Sequence, residues 1–374
     1  MLKKEIFYIA DFSLPNKSAY ALHVLKMCDA FREMTGKKVN LFIPFRDTKY
    51  KYSKIKKDYL LKNIININGI FLKKRENNFF LRILFALKII YLLKKNSSNY
   101  YIYSRSIISS ILLGFFKIKN TLEVHTELTG ATKKLFYVTN FNFINSNIKF
   151  VFINDYLRKK LKISKNKSLI LGDAVDYRDF NSSKSKIIKN TCFYSGSFVK
   201  GKGLEIIFRI AKKMPHINFH LYGNTDTIYN KKLLKHQFKN VCFKGYLNYS
   251  KLTREIKKYR ILLLPYSRFV GVLIEGINVV KYFSPLKMFD YLASGKIIIA
   301  TNLKVYKNIL KNNQNSILIK ENIDMWCYYI DSIFKNKKYD HLGVSAKNDS
   351  KKYSWNSRVK NILEHDLGQP LTRI

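Results

Sequence analysis

Short apolar runs alternate with amphipathic helical patterns along almost the whole chain, and this alternation restricts the possible folds most strongly. In the first part the runs lie at 6–10, 39–43, 100–103, 121–125 and 149–153. In the second part they lie at 192–196, 217–223, 241–245, 261–265, 296–300 and 316–319. Several are continuously apolar, as is typical of parallel strands that are buried on both faces. The pattern predicts an α/β protein with doubly wound parallel sheets.

The length of 374 residues predicts two domains. A Gly-Asp turn and a polar stretch near 171–180 place the boundary, which gives Rossmann-like domains at 1–172 and 173–350. The four cysteines are far apart and form no CxxC pair, which argues against a disulfide framework or a zinc site and favours a reducing cytoplasm. Since no run of about 18 apolar residues occurs, we expect no spanning helix.

The chain has 69 basic and 25 acidic residues, a net charge of +44. Such a charge attracts polyanions, including anionic lipid and phosphorylated small molecules. The basic residues are scattered, however, and a composition rich in Lys, Asn and Ile is equally well explained by an AT-rich genome. Zinc-finger spacing, RNP-like aromatics and a basic-region heptad are absent from the sequence, so nucleic acid is not an expected partner. Polyanion binding stays open as an alternative that only the charge favours.

The segment 284–302 reads "SPLKMFDYLASGKIIIATN", a helix followed by a buried strand. Ser284 suits a helix N-cap, and Pro285 suits the first helical position. A helix start of this kind directs free N–H groups and a positive dipole end toward a diphosphate. Lys287 in the first turn is repelled by that dipole unless an anion binds there, and Asp290 could then meet an attached ribose. The alternative is a plain capped helix at the surface.

A second candidate for phosphate binding is "YSGSFVKGKG" at 194–203. A strand ends at Gly196, and Lys202 and Gly203 open the helix from Leu204. Glycines let the backbone approach a phosphate, and the lysine neutralises it. The loop matches neither the GxGxxG dinucleotide motif nor the GxxxxGK[ST] P-loop. Its pairing with the helix start at 284 strengthens the phosphate interpretation.

In their order and spacing these segments resemble the bacterial family-four (group 1) glycosyltransferases of the GT-B fold. Further similar segments are "PNKSAYALHVLKMCDAF" (15–31), "TLEVHTEL" (121–128), "VFINDYLRKKL" (151–161) and "YSWNSRVKNIL" (353–363). The resemblance implies two Rossmann-like domains facing a cleft and a terminal helix at 351–374 that crosses back to the first. It also implies transfer of a sugar from a UDP- or GDP-linked donor to an acceptor hydroxyl, with retention of configuration and without a metal or other cofactor.

The resemblance assigns roles to individual residues. Lys202 contacts the donor diphosphate, Asp290 holds the ribose where the family usually has Glu, and Leu247 lies by the base. Backbone groups at Ser284, Pro285 and Leu286 face the diphosphate. His125 approaches the donor sugar and shares the catalytic role with Lys202. The remaining expected donor contacts are Gly196, Ser197 and Lys287. Position in the chain, rather than the resemblance, suggests acceptor or sugar contacts at Ser18, Arg105 and Glu123. Arg105 ends a strand, where a surface role is an equal alternative, and strand alternation places Glu123 on the same face as His125.

Two positions depart from the family pattern. Ser197 stands where the family often has Arg, and Tyr282 stands where the first Glu of its E-x7-E motif falls. Two alternatives of the same fold therefore stay open, a nucleotide-sugar epimerase and a non-catalytic nucleotide-sugar-binding protein. The separate acceptor-side loop at 13–20 favours transfer over epimerisation.

The segment 79–95, "FFLRILFALKIIYLLKK", is strongly apolar and carries Arg82, Lys88, Lys94 and Lys95. It predicts either a helix that covers the sheet or a basic amphipathic face on anionic lipid. Bacterial members of the family commonly build surface polysaccharide, such as capsule, O-antigen or lipopolysaccharide, on a lipid-linked acceptor. The resemblance thus implies a lipid-linked glycan acceptor and a cytoplasmic protein that binds peripherally to the inner face of the membrane.

Overall fold

The structure is a computed structural model, and it describes residues 4–74, 78–95, 99–139, 146–181, 185–227, 238–271 and 278–368. The chain forms two compact units. The first is built from the chain up to Gly172 together with the segment from Trp355 onward, and the second is Asp173–Ser354. The chain thus returns to the first unit at Trp355 rather than at residue 351.

The first unit contains a sheet of eight strands: β1 Glu5–Ile9, β2 Ser13–Leu14, β3 Val39–Arg46, β4 Asn66–Phe71, β5 Tyr100–Ser104, β6 Asn120–Val124, β7 Ile148–Phe152 and β8 Ser168–Ile170. All of its pairings are parallel, in the order β3-β1-β5-β6-β7-β8, with β2 and β4 also paired to β3. In register, Ile6 of β1 lies between Val39 and Tyr101.

The second unit contains a sheet of six strands: β9 Thr191–Ser195, β10 Asn218–Tyr222, β11 Val241–Gly245, β12 Ile261–Leu264, β13 Ile297–Thr301 and β14 Ile317–Ile319. Their order is β11-β10-β9-β12-β13-β14, and every pairing is parallel. This is the strand order of a doubly wound nucleotide-binding sheet.

Helices alternate with these strands along the chain. The α-helices are α1 Ala19–Thr35, α2 Tyr52–Tyr59, α3 Phe79–Lys95, α4 Ile107–Phe115, α5 Gly130–Val138, α6 Asp155–Lys160, α7 Leu204–Lys213, α8 Tyr249–Glu255, α9 Leu286–Ser294, α10 Ile323–Lys335, α11 Asp340–Ser350 and α12 Trp355–Leu367. Short 3₁₀ turns lie at Lys165–Lys167, Tyr177–Phe180, Thr225–Thr227, Ile256–Lys258, Lys304–Tyr306, Lys337–Tyr339 and Lys351–Tyr353. Within the ranges that the structure describes, no helix is long and apolar enough to cross a membrane.

Burial follows the apolar patterns of the sequence. In the first unit Phe7 and Ile9 of β1 pack with Phe85 and Ile89 of α3 in one buried cluster. In the second unit Leu204 and Ile207 of α7 join Ile297 and Ile299 of β13 and Trp326 of α10 in another. Burial of this much apolar surface is the main favourable term in folding each unit.

The predicted α/β class with two parallel Rossmann-like sheets is confirmed, and all eleven predicted runs are strands. Three strands were not predicted. β2 and β8 are only two and three residues long. β4, "NINGIF", carries two Asn and one Gly, residues that are depleted in strands. Neighbouring strands impose these conformations, which the local sequence does not favour.

Candidate functional site

The carboxyl ends of β9 and β12 mark the point where the second sheet reverses its strand order. From β9 the chain proceeds through β10 to β11 on one side, then returns to β12 on the other. Open α/β sheets bind ligands in the crevice outside such a switch point. Gly196 follows β9 and Pro265 follows β12, so the loop 196–203 lies at this crevice.

Two glycines of this loop occupy positions that a side chain would not fit. Gly196 has φ +148°, and a Cβ there would lie 2.9 Å from Nζ of Lys287. Gly201 has φ +79°, and a Cβ there would lie 1.6 Å from the carbonyl oxygen of Phe269. Because these positions are glycines, the loop can lie close to Lys287 and to the segment after β12.

Lys202 and Lys287, hereafter the lysine pair, are the central charges of the crevice. Nζ of Lys202 donates to Oγ of Ser197 at 2.8 Å, and Nζ of Lys287 donates to the carbonyl oxygen of Ser195 at 2.9 Å. Both acceptors are neutral, and neither lysine has an acidic partner among the described residues. The lysine pair is thus a concentration of positive charge that no described residue of the protein compensates.

The pKa values of both lysines reflect this environment. Burial lowers the pKa of Lys202 to about 8. Burial, and then the charge of Lys202, lower the pKa of Lys287 well below its usual range. Placing an anion between the two ammonium groups would remove both penalties.

Two tyrosines hold Lys287 without neutralising it. Its Nζ lies 3.9 Å from the ring centroid of Tyr194 and 4.4 Å from that of Tyr266. Such cation–π contacts stabilise an ammonium and leave its charge available to a ligand. Neither Tyr194 nor Tyr266 was among the predicted site residues. The one available signal was their position, since Tyr194 is in β9 and Tyr266 closely follows β12.

The helix α9 begins one residue later than predicted. Pro285 is its N-cap, with φ −81° and ψ 117°, and Leu286 is its first residue. The hydroxyl of Ser284 accepts a hydrogen bond from the backbone N–H of Asp173 at 3.0 Å, so it does not cap the helix. Because proline has no N–H, the donors at this helix start belong to Leu286 and Lys287. The prediction that Ser284 caps the helix and Pro285 lies inside it is therefore wrong.

Asp290 lies in the second turn of α9 with only 5% of its surface exposed. The Tyr249 hydroxyl of α8 donates to its Oδ1 at 3.2 Å, which fixes the carboxylate before any ligand arrives. Leu247, between β11 and α8, is half-buried at the same end of the sheet. Tyr282 is buried in the protein interior, and this burial argues against a polar contact with a sugar.

The first unit contains a second cluster of charged and polar side chains, the Glu123 network. Glu123 is in β6, and its Oε1 accepts hydrogen bonds from Nε2 of His125 at 2.7 Å and from Nη2 of Arg358 at 2.6 Å. Nε2 of His23 lies 2.9 Å from the same oxygen, and Tyr103 donates to Oε2 at 2.9 Å. Segments from α1, β5, β6 and α12 thus converge on one carboxylate.

The network fixes the protonation of its members. Burial alone would raise the pKa of Glu123, but Arg358, His23 and His125 outweigh it and hold that pKa well below the usual range. Burial, and then the charge of Arg105, lower the pKa of His125 to about 3, although Glu123 opposes them. His125 is therefore a neutral imidazole that donates from Nε2, and its Nδ1 lone pair can accept a hydrogen bond.

Glu123 itself is committed to this network. Its side chain is fully buried, and its oxygens already have several partners. This arrangement argues against the predicted direct contact with a sugar and makes Glu123 the residue that orients His125. His23, Glu123 and His125 also have the spacing of a metal ligand set. Arg358, however, already supplies the positive charge that a metal ion would bring to the shared oxygen.

The two other predicted acceptor-side residues differ in their placement. Ser18 is exposed and caps α1, since its hydroxyl accepts from the N–H of Ala21 at 3.3 Å. Arg105 follows β5, and its backbone N–H donates to the carbonyl oxygen of Ile9, at the end of β1, at 2.8 Å. The carboxyl ends of β1, β5 and β6 therefore bring Arg105 and His125 to the same edge of the first sheet.

Comparisons with known proteins agree with this organisation. Residues 177–349, nearly all of the second unit, match the family model of the group 1 glycosyl transferases. A glycosyltransferase of Rickettsia africae is similar in structure, with 15% identity, a TM-score of 0.69, and coverage of 96% of this chain and 97% of that chain. HepE of Anabaena in complex with UDP-glucose has 10% identity, a TM-score of 0.70, and coverage of 96% and 100%.

WaaG, a glycosyltransferase involved in lipopolysaccharide biosynthesis, has 12% identity, a TM-score of 0.60, and coverage of 96% and 99%. Sequence comparison with curated proteins gives no match. At these identities the solved structures establish the fold, and the family model identifies the second unit. The predicted family and fold are both confirmed. Residues 177–349 are thus identified as a group 1 glycosyl transferase domain, and the chain as a whole shares the GT-B fold of these solved structures.

Proposed function

We propose that the protein transfers a sugar from a nucleoside-diphosphate sugar to an acceptor hydroxyl, with retention of the anomeric configuration. The lysine pair carries this proposal. Two buried ammonium groups at a switch point, without an acidic partner in the described part of the second unit, need an anion. A diphosphate supplies it, and the N–H groups of Leu286 and Lys287 add donors at the helix start. HepE, a structural neighbour, binds UDP and UDP-glucose.

In the proposed reaction the bond between the anomeric carbon and the diphosphate oxygen breaks. A bond from that carbon to the acceptor oxygen forms on the same face, and the acceptor proton passes to the leaving diphosphate. The lysine pair stabilises the charge that develops on the leaving group. Asp290 binds the ribose, Leu247 lies by the base, and neutral His125 accepts a hydrogen bond from the donor sugar. The scheme needs neither a carboxylate nucleophile nor a metal ion.

Purified protein tested against UDP- and GDP-linked sugars decides the proposal. We expect one donor to be consumed, and NMR of the new glycoside to show the anomeric configuration of the donor. An inverted product would contradict retention. Binding of a donor without hydrolysis or transfer would instead identify a non-catalytic binding protein, the alternative that Ser197 and Tyr282 favour.

For the acceptor we propose a lipid-linked glycan of surface polysaccharide at the inner face of the cell membrane. The similarity to WaaG supports this pathway. The helix α3 supports the location because it has two apolar faces. Leu81, Phe85 and Ile89 are buried against the core, but a second stripe is exposed. It consists of Phe80 (75% exposed), Leu84 (48%), Leu87 (44%) and Tyr91 (64%).

Basic side chains surround this exposed stripe. Lys88, Lys94 and Lys95 are exposed, and Nζ of Lys88 and of Lys94 lie over the rings of Phe71 and Phe116 at 5.2 and 5.0 Å. Apolar side chains that enter the headgroup region and lysines that meet anionic lipid are the two elements of interfacial binding. Arg82, which the sequence places in the same segment, is half-buried, and its charge acts on Asp11.

Co-sedimentation with vesicles tests this surface. Binding should rise with the anionic lipid fraction and fall at high salt, and reversal of Lys88, Lys94 and Lys95 to Glu should abolish it. Reversal of Lys57, Lys159 and Lys160, exposed lysines of α2 and α6, changes the net charge equally and should have a smaller effect. Equal losses in both variants would show that net charge alone drives binding.

A further inference from the structure

Arg105 lies at the switch point of the first sheet. Its backbone connects the ends of β1 and β5, the two strands from which the chain proceeds in opposite directions across the sheet. By the rule that locates ligands in the second unit, this edge is also a crevice for a ligand. The helix α4 begins directly after Ser106, and its positive dipole end is directed toward the same edge.

The guanidinium of Arg105 is fixed in place, yet it has unused donors. Its Cζ lies 4.2 Å from the ring centroid of Tyr20, whose hydroxyl donates to the carbonyl oxygen of Arg105 at 2.9 Å. The Nε and Nη1 atoms are nonetheless buried, without a hydrogen-bond partner in the described part of the chain. Leaving charged donors buried and unpaired destabilises the free protein, and a ligand that accepts hydrogen bonds from them removes this penalty.

The acidic residue at the end of β1 has other interactions. Asp11 follows β1, and burial raises the pKa of its carboxyl to about 6. A hydrogen bond with Ser106 and the charge of Arg82 lower that pKa. The charge of Arg105 acts instead on His125, at the end of the neighbouring strand. Arg105 and His125 follow the neighbouring strands β5 and β6, so both lie at the edge of the sheet where the proposed function places the reacting sugar.

We propose that Arg105 binds an anionic oxygen group, a phosphate or a carboxylate, carried by the acceptor beside His125. This inference rests on the proposed transferase function and specifies its acceptor as an anionic molecule. Guanidinium is suited to this task because it is always charged and presents planar donors to oxyanions. Tyr20 holds the plane of the guanidinium so that little side-chain freedom is lost on binding.

The test uses the full chain saturated with UDP, so that the lysine pair is occupied, and inorganic phosphate as the probe. The resonance of the His125 imidazole, followed by NMR, reports binding in the first unit. In the wild-type protein we expect a saturable shift of that resonance. Arg105→Gln should weaken phosphate binding at least about tenfold, as expected for lost charge-assisted hydrogen bonds. Arg105→Lys keeps the charge but loses the planar donors, so its phosphate affinity should lie between those of the wild type and Arg105→Gln.

Lys134→Gln removes an exposed cation of α5 and should leave the phosphate affinity unchanged. Acetate in place of phosphate distinguishes a carboxylate site, which binds both, from a phosphate site, which prefers phosphate. Equal phosphate affinity in Arg105→Gln and wild type, or an unshifted His125 resonance, overturns the proposal. UDP affinity, measured separately, should be the same in all variants. A failure of UDP binding would count against the proposed donor site, while the phosphate response at His125 would still stand.

Discussion

The Glu123 network of the first unit and the lysine pair of the second treat buried charge in opposite ways. Around Glu123 a negative carboxylate meets a guanidinium, two imidazoles and a tyrosine hydroxyl. In the lysine pair, by contrast, the partners that the described residues provide for two positive groups are neutral oxygens and aromatic rings. The first arrangement is complete without a ligand. The second becomes complete only when an anion binds.

This contrast separates residues that build a site from those that contact substrate. A compensated buried charge holds a shape, because removing one partner leaves the other unpaired. A buried charge without an opposite partner reduces the stability of the free protein and is retained for binding. Arg105 follows the second pattern although it is in the first unit.

The largest effect should come from breaking the compensated cluster. Glu123→Ala leaves Arg358 buried without its carboxylate, so we expect a loss of about 3–5 kcal/mol in the free energy of unfolding. Denaturant unfolding measures it. Asp155→Ala is the matched control, since that carboxylate is 45% exposed and pairs with the exposed Lys159 as well as with Arg158. It should cost about 1 kcal/mol or less. Equal losses would show that Glu123 is not the centre of its network.

The second effect is catalytic. Lys202→Ala removes a charge from the leaving group and should lower sugar transfer by a factor of at least about 100, or about 2.7 kcal/mol in the activation free energy. Initial-rate measurements with the preferred donor check this. Lys200→Ala removes an exposed lysine from the same loop and should retain nearly full activity. Near-normal turnover in a folded Lys202→Ala protein would refute the role of Lys202.

A smaller effect is expected at Asp290. Asp290→Ala should weaken nucleoside-diphosphate binding about tenfold, as for a lost hydrogen bond to a charged group. Asp290→Glu should be tolerated, because a carboxylate remains for the ribose and for Tyr249. Calorimetry with UDP and GDP measures both variants. If the alanine variant binds as tightly as the wild-type protein, Asp290 does not contact the ribose.

The smallest predicted effect is the uptake of a fraction of a proton when the diphosphate binds. With a pKa of about 8, Lys202 is more than half deprotonated at pH 8.5 in the free protein. A bound diphosphate raises that pKa, so binding at pH 8.5 should take up a fraction of a proton. Calorimetry in buffers of different ionisation enthalpy measures the uptake, which Lys202→Ala should reduce. Proton release on binding would contradict this account.

The sequence predicts the fold well, and it predicts the site where the signal is local. The apolar runs give the strands of both sheets, and the loop at 196–203 with Lys287 gives the lysine pair. Long-range contacts account for what was missed. The backbone N–H of Asp173, which is distant in sequence, donates to the Ser284 hydroxyl. The start of α9 therefore shifts by one residue. Arg358 reaches Glu123 from the last helix, a contact that no spacing within β6 could indicate.

Thermal unfolding of Lys287→Met and the wild-type protein, each with and without UDP, tests the central claim most directly. If the lysine pair is an uncompensated charge retained for a diphosphate, the variant without ligand should be more stable than the wild type by about 1 kcal/mol, a rise of a few degrees in Tm. UDP should raise the Tm of the wild type and have little effect on the variant. A variant that is less stable without ligand and yet shows the full response to UDP would contradict the account.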